Sequence, residues 1–478
     1  RVAEPPVEAR PLVPPALSTA LAGKGNECTF SADQLSAMAL PPVHCDHYVV
    51  TEDGATYKPA HPLPFKEGGR PTCAADLLEL GFDLSNSIDP SKPKCEDGSY
   101  PPLSDERKQV LYDIALDHWS VWARDARTPA LSRLVVLEIP TGDASPVAQR
   151  PYPVPYKYLE AVRAEVQKLL DGGLIEPCIS NWAPPTLVRL KKDSTPDNVK
   201  LKLVIDYRRL NEVTVPDAAG LGDQDEIIDG FGGDQRWGAI VDAAGGFYQF
   251  LIHPKDRHRT AFVLPTSMGG TSFQWRVAPY GLARNPAGYS RGMMFALKGL
   301  DNCALGPLGE SRGGARSWID DISMHANSFE GFADLFGRVL ARMSFACMSL
   351  KASKCLLLHQ KLEVLGYFIT PDGIMMQPAK LDYKAAPSSP AEIRTFLGAV
   401  QFYRRFIPRL SLLAAPMNAL LKKPSPNDPK HRKGTAEHAA AYAAVDESFK
   451  AVCAYLKSDA VVSAPDLSDP HAEYVICT

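Results

Sequence analysis

The sequence predicts an α+β protein, with a mixed core followed by a more helical tail and preceded by a Pro-rich, poorly ordered leader. Three observations carry this. Strand-like and helix-like periodicities alternate between Ser104 and Thr370; helical periodicity dominates over 391–421 and 436–456; and 15 of the 42 prolines fall in residues 1–104, where periodicity is short and weak. A chain of 478 residues, 45% apolar and 22% charged, is not fibrous, collagenous or wholly disordered. Roughly 150 residues per domain would allow about three domains.

In order, residues 1–104 carry 8 basic and 14 acidic residues, a net of −6, and contain no Asp-Thr-Gly or Asp-Ser-Gly triplet of an aspartic protease. Only a small helix near 74–80 is expected there. Ser104-Asp105-Glu106 can cap a helix whose apolar positions are Val110, Leu111, Ile114 and Ala115. Leu159, Val162, Val166, Leu169 and Leu170 step by three and four over 156–170, and Gly172-Gly173 provides the stop. Strand-like runs follow at 185–190, 201–206, 237–242, 247–252, 260–264 and 273–277. Helices are expected over 287–297 and 332–343, with further strands at 317–324 and 364–370. The glycine-rich stretch 305–316 is expected to loop out.

The formal charge of −3 gives no sign of a polyanion partner, but it averages unlike parts: 351–433 holds 14 basic and 5 acidic residues, a net of +9. There, Phe396, Phe402, Tyr403 and Phe406 lie among Arg394, Arg404, Arg405 and Arg409. They read either as stacking platforms on a phosphate-binding surface or as the core of an amphipathic helix. Ten scattered cysteines without CxxC pairs suit a reduced, intracellular setting. His44, Cys45 and His47 are the only tight ligand-type cluster, without a second pair at zinc spacing. No apolar run approaches the ~18 residues of a membrane span, and no membrane partner is expected. The chain begins at Arg1 and is expected to be a piece of a longer product.

Trp318-Ile319-Asp320-Asp321-Ile322 places two adjacent carboxylates between strand-forming residues. Alone, such a pair is more often simply a turn. A second strand, Trp237–Asp242, ends in one Asp. If the two strand ends are neighbours, Asp242, Asp320 and Asp321 form a cluster that needs cations, and oxygen donors of this kind suit Mg²⁺. Two such ions would support in-line phosphoryl displacement.

Further stretches lie in order with these. They are Leu170–Pro177 (LDGGLIEP), Asp206–Asn211 (DYRRLN), Asp242–Gln249 (DAAGGFYQ), Arg259–Phe262 (RTAF), Pro279–Leu282 (PYGL) with Asn285-Pro286, Trp318–Asp321 (WIDD), Leu365-Gly366-Tyr367, and Phe396-Leu397-Gly398 with Tyr403–Ile407 (YRRFI). Together, residues from about 106 to 478 resemble the reverse transcriptase of gypsy-type long-terminal-repeat retroelements within a Pol polyprotein.

The resemblance implies a right-hand polymerase with fingers and palm over 105–375, a thumb over 376–430 and a connection segment over 431–478. It implies an RNA-directed DNA polymerase adding dNTPs to a primer on an RNA or DNA template. Asp242, Asp320 and Asp321 would hold two Mg²⁺, with Mn²⁺ as a substitute. Lys191, Lys202, Phe247, Tyr280 and Gly281 would contact the dNTP, with Phe247 excluding a 2′-hydroxyl. Leu365, Gly366 and Tyr367 would grip the primer, and Arg394, Arg404 and Arg405 the nucleic-acid backbone. Other Pol segments (protease, RNase H, integrase) are the expected partners, in a cytoplasmic particle or the nucleus. The family continues into RNase H beyond the position of Cys477-Thr478, so no RNA degradation is expected here. Departures are Trp318 for the usual Tyr, Arg284-Asn285 for Asn-Ala, and Ala219–Gly222 for a Tyr-Pro-Leu-Pro turn. They leave open a decayed or repurposed relic that binds nucleic acid without polymerising.

Overall fold

Trp237–Asp242 (β1) is apolar at every position but its last, and it is buried everywhere except at that Asp. Such a run has to sit inside a sheet with both faces covered. In a computed structural model of the chain it does so, at the fourth position of a five-stranded antiparallel sheet. The other strands are Cys303–Leu305 (β2), Ser311–Trp318 (β3), Asp321–Ala326 (β4) and Leu356–Leu357 (β5), in the order β2–β3–β4–β1–β5. The structure describes residues 49–50, 56–57, 71–123, 130–132, 134–190, 194–195, 199, 201–218, 222–265, 268–305, 309, 311–377, 385–422, 435–456 and 461–462. Lys191, the 44–47 cluster and positions 219–221 lie outside them.

The glycine-rich stretch does not loop out as a whole. From Ser311 it is strand β3, paired with both β2 and β4. The glycines are required by this pairing: a Cβ on Gly313 would lie 2.2 Å from the carbonyl oxygen of His325, and one on Gly314 2.3 Å from that of Asp301. Glycine here permits close backbone approach at the sheet rather than flexibility.

Helices Ala74–Glu79 (α1), Asp105–Asp117 (α2), Asn285–Leu297 (α3) and Phe329–Phe345 (α4) share one buried core with this sheet. The expected N-cap holds, as Ser104 accepts from the Arg107 amide. The loosely ordered stretch expected up to residue 104 does not extend over 71–103. Leu77, Phe82, Leu84 and Leu103 belong to the core, and the Phe82 ring lies 5.1 Å from that of Trp122. Pro-rich composition concealed this because the segment is anchored by a few isolated large side chains and not by a period. A second buried cluster joins Leu159–Asp171, whose Val162, Val166 and Leu169 are buried as the spacing predicts, to the hairpin Thr186–Leu190 with Leu201–Ile205. The strand expected at 247–252 is shorter: Gly246–Gln249 is a 3-10 turn and only Leu251–Ile252 is strand.

The chain separates into two compact units, the second made of 228–236 and 359–478. In that unit Leu362–Val364, Tyr367–Thr370, Gly373–Met376 and Val461–Val462 form an antiparallel sheet. The strand expected over 364–370 is broken by a two-residue turn, Leu365 (φ 49°) and Gly366 (φ 89°), the primed geometry that suits hairpin twist. Pro390–Phe402, Ala415–Leu421 and Ala436–Leu456 supply helices, with Phe396 and Phe449 rings 5.1 Å apart. Of the two readings of the basic segment's aromatics, the core reading holds for Phe396, Tyr403 and Phe406, which are buried. Among the described residues no helix is long and apolar enough to cross a membrane.

Candidate active site

Strands β1 and β4 are buried along their length and surface only where they carry carboxylates. The register fixes the meeting: Asp321 stands directly opposite Asp242, and Trp318 opposite Asp321 closes a two-residue turn made of Ile319 and Asp320. Ile319 has φ 50°. A β-branched residue in this region is strained by roughly 1–2 kcal/mol, and the strain sits where the turn presents Asp320. The Asp320 carbonyl accepts from the Ala243 amide at 2.8 Å, tying the turn to the end of β1.

The register thus sets Asp321 opposite Asp242, with Asp320 in the adjoining turn. Burial, followed by the negative charges of Asp242 and Asp321, pushes the Asp320 carboxyl up to about 6, against the opposing pull of Lys354. Asp321 is raised by desolvation and then by Asp242. Asp320 Oδ1 is buried without a hydrogen-bond partner. All-oxygen donors, mutual repulsion and an orphaned buried oxygen fit a hard divalent cation. Among the described residues no three His, Cys, Asp or Glu side chains converge on one point, and Asp242 Oδ2 is instead engaged by Lys354 Nζ at 2.7 Å.

An aromatic wall adjoins the carboxylates. The Phe247 ring contacts Tyr280 (5.4 Å) and Tyr289 (5.5 Å) edge to face. Lys202 Nζ lies 4.0 Å above the Tyr280 ring, and desolvation together with Asp320 and Asp242 pushes the Tyr280 hydroxyl up to about 12. Lys202, Phe247 and Tyr280 are thus brought together. Gly281 is held by a side chain that the sequence reading did not single out. Asn211 donates to the Gly281 carbonyl at 2.8 Å and accepts from the Ala283 amide at 2.9 Å. Arg284, one of the departures, has a local reason: it donates to the Val215 carbonyl and, with Arg291, pairs with the half-buried Asp217.

The turn after Asp242 is locked by Gln249, which is fully buried. Its amide donates to the carbonyls of Ala244 and Ser349 and accepts from the Ser349 amide. Gln249→Ala strands these groups and is expected to cost about 3 kcal/mol, read as a lower urea midpoint at unchanged slope.

In the second unit Tyr367 stacks on Phe402 (5.0 Å), and the Tyr403 hydroxyl donates to the Gly366 carbonyl at 3.0 Å, which fixes the Leu365–Gly366 turn. Arg394 and Arg404 are exposed. Arg405 is not presented like them: its side chain is 19% exposed and pairs with Asp229 at 2.9 Å.

The reverse transcriptase (RNA-dependent DNA polymerase) family matches residues 190–369, a span that includes Asp242, Asp320 and Asp321. Residues 190–369 are thus similar to a reverse transcriptase domain. The chain is 32% identical over 284 residues to the retrovirus-related Pol polyprotein from transposon 297 of Drosophila melanogaster, covering 58% of this chain and 25% of that protein. It is 26% identical over 333 residues to the corresponding polyprotein from transposon gypsy, covering 69% and 31%. The chain thus spans about a quarter to a third of the length of these relatives. The fold is similar to that of the foamy viral protease-reverse transcriptase in complex with dsDNA, with a TM-score of 0.63 at 21% identity over 82% of this chain and 74% of that one. The matched span contains the five-stranded sheet, and the carboxylates lie at the ends of its strands.

Proposed function

We propose that this chain is an RNA-directed DNA polymerase, adding dNTPs to a primer 3′-hydroxyl on an RNA or DNA template. The observation that carries the proposal is the β1–β4 register, which sets Asp321 opposite Asp242 with Asp320 one residue before it, beside the Phe247–Tyr280–Lys202 wall. Asp242, Asp320 and Asp321 would hold two Mg²⁺, with Mn²⁺ as a substitute; when bound, these ions supply Lewis-acid activation of the hydroxyl and charge neutralisation at the phosphates. The chain's own residues select and orient. Lys202, joined by Lys191, is a cationic contact for the triphosphate. Phe247 offers a ring edge and no hydrogen-bond partner to a 2′-hydroxyl. Asn211 holds the Tyr280–Gly281 turn beside the nucleotide. Leu365, Gly366 and Tyr367 grip the primer, while Arg394 and Arg404 meet the backbone and Arg405 braces the primer-grip hairpin through Asp229. The partners are a primed template, dNTPs and the other Pol segments, and the setting is intracellular, a cytoplasmic particle or the nucleus.

Primer extension with Mg²⁺ and dNTPs on RNA and DNA templates tests this. Product is expected on both; a folded protein that binds duplex in a salt-sensitive way yet makes none would establish the relic reading instead. Phe247→Val opens the wall and is expected to raise ribonucleotide over deoxyribonucleotide use by about 10–100-fold, measured as the ratio of the two kcat/KM values.

A further inference from the structure

We propose that Lys354 is a built-in counter-ion, which holds the carboxylate site together without metal and is exchanged for the first metal ion to arrive. This rests on the polymerase reading of the same site. The backbone places the residue. The Lys351 amide donates to the Asp242 carbonyl at 2.9 Å, Ala352–Lys354 makes one 3-10 turn, and β5 then pairs with Ile240 and Ala239 of β1. Lys354 is therefore delivered by a segment fastened on both sides of it to the strand that carries Asp242.

Its ammonium lies 2.7 Å from Asp242 Oδ2. The ammonium engages Asp242 alone, while Asp321 faces Asp242 across the strands, Asp320 sits in the adjoining turn and an Asp320 oxygen remains buried without a partner, so Lys354 relieves the repulsion without saturating the donors. The Lys354 side chain is 54% exposed, whereas that of Asp242 is 15% exposed. A long side chain with its head in water can leave its partner without stranding a buried charge. A divalent cation reaching Asp242 must displace this ammonium, so the ion pair and the tethered positive charge oppose its binding. An ordinary surface ion pair would contribute little and would leave metal affinity unchanged.

The probe is Mn²⁺ added to the full chain. Its free concentration is followed by electron paramagnetic resonance, and melting is recorded in chelator and in Mn²⁺. Lys354→Met is expected to bind Mn²⁺ about tenfold more tightly, to melt lower in chelator and to gain more in Tm from Mn²⁺ than the wild type. Lys354→Arg, which keeps the charge, should stay near wild type. Should Lys354→Met fail to fold, Lys354→Gln carries the same expectation. Unchanged or weaker Mn²⁺ binding in the neutral variants, an unchanged Tm in chelator, or an Arg variant that behaves like the Met variant overturns the exchange. Asp320→Asn separates the two readings. If the wild type binds no more Mn²⁺ than Asp320→Asn does, the metal-site reading itself fails and the exchange falls with it; if only the Lys354 effects are missing, the metal site stands and the exchange alone fails.

Discussion

Asp320→Asn is expected to lower primer extension by about a thousandfold or more and, in the absence of metal, to raise the melting temperature. The first effect follows from removing a charged donor where several kcal/mol of transition-state stabilisation originate. The second follows from the cost of keeping that carboxylate ionised. An Asp in the unfolded chain titrates near 3.9, whereas Asp320 in the fold is pushed up to about 6 by burial and by its two acidic neighbours. The folded state thus binds the proton more tightly. The stability this contributes is complete below about pH 4, falls as pH rises from about 4 to 6, and above that the ionised group costs up to about 3 kcal/mol. Asn keeps the shape and drops the charge. Calorimetry in chelator should show the variant melting a few degrees above wild type at pH 7.5, with the gap closing as pH falls toward 4.5. Carboxyls held low elsewhere, such as Asp206 by its hydrogen bond from Arg208, lose stability on acidification in both proteins and cancel in the comparison. A variant that melts at or below wild type in chelator at pH 7.5 would sink the electrostatic account.

The part of this site legible in the sequence is the part that local pattern controls. Trp237–Asp242 and Ala436–Leu456 are recovered to the residue because a continuous buried run and a long helical period leave little choice of boundary. The Asp pair is legible as a turn between strands, and its conjunction with Asp242 needed the family resemblance or the register itself. What escaped depends on contacts between distant positions. Lys354 lies 112 residues from Asp242 and becomes visible only once β5 is paired with β1. Asn211 looks like a surface amide until the Gly281 turn is set beside it. The glycine-rich stretch is misread because the same residues serve mobile loops and strands that must accept close neighbours, and nothing local distinguishes the two. The Arg405 ion pair escaped for a related reason: composition counts the charge and does not show that it pairs with Asp229 in the fold.

Gly246→Ala is expected to reduce synthesis by about a hundredfold through Asp320, without that carboxylate being touched. Gly246 has φ 36°, where an L side chain costs about 1 kcal/mol, and an added Cβ would lie 2.2 Å from Asp320 Oδ1 and 2.7 Å from its Cγ. Something must move, and the backbone is poorly placed to do so. The Ala243 amide is bonded to the Asp320 carbonyl and the Ala244 amide to the Ser349 carbonyl, and Gln249 clamps the far side of the turn. The Asp320 side chain gives way instead. A displacement of about 1 Å in a catalytic group costs on the order of 10²-fold in rate. A double-mutant cycle isolates the cause, because Asp320→Ala removes the clashing oxygens while leaving the backbone conformation in place. Gly246→Ala should destabilise the wild type by at least about 1 kcal/mol more than it destabilises the Asp320→Ala protein, measured by urea unfolding. Equal losses in the two backgrounds, together with unimpaired primer extension by the single variant, would show that the turn relaxes after all and that the glycine serves only its own backbone.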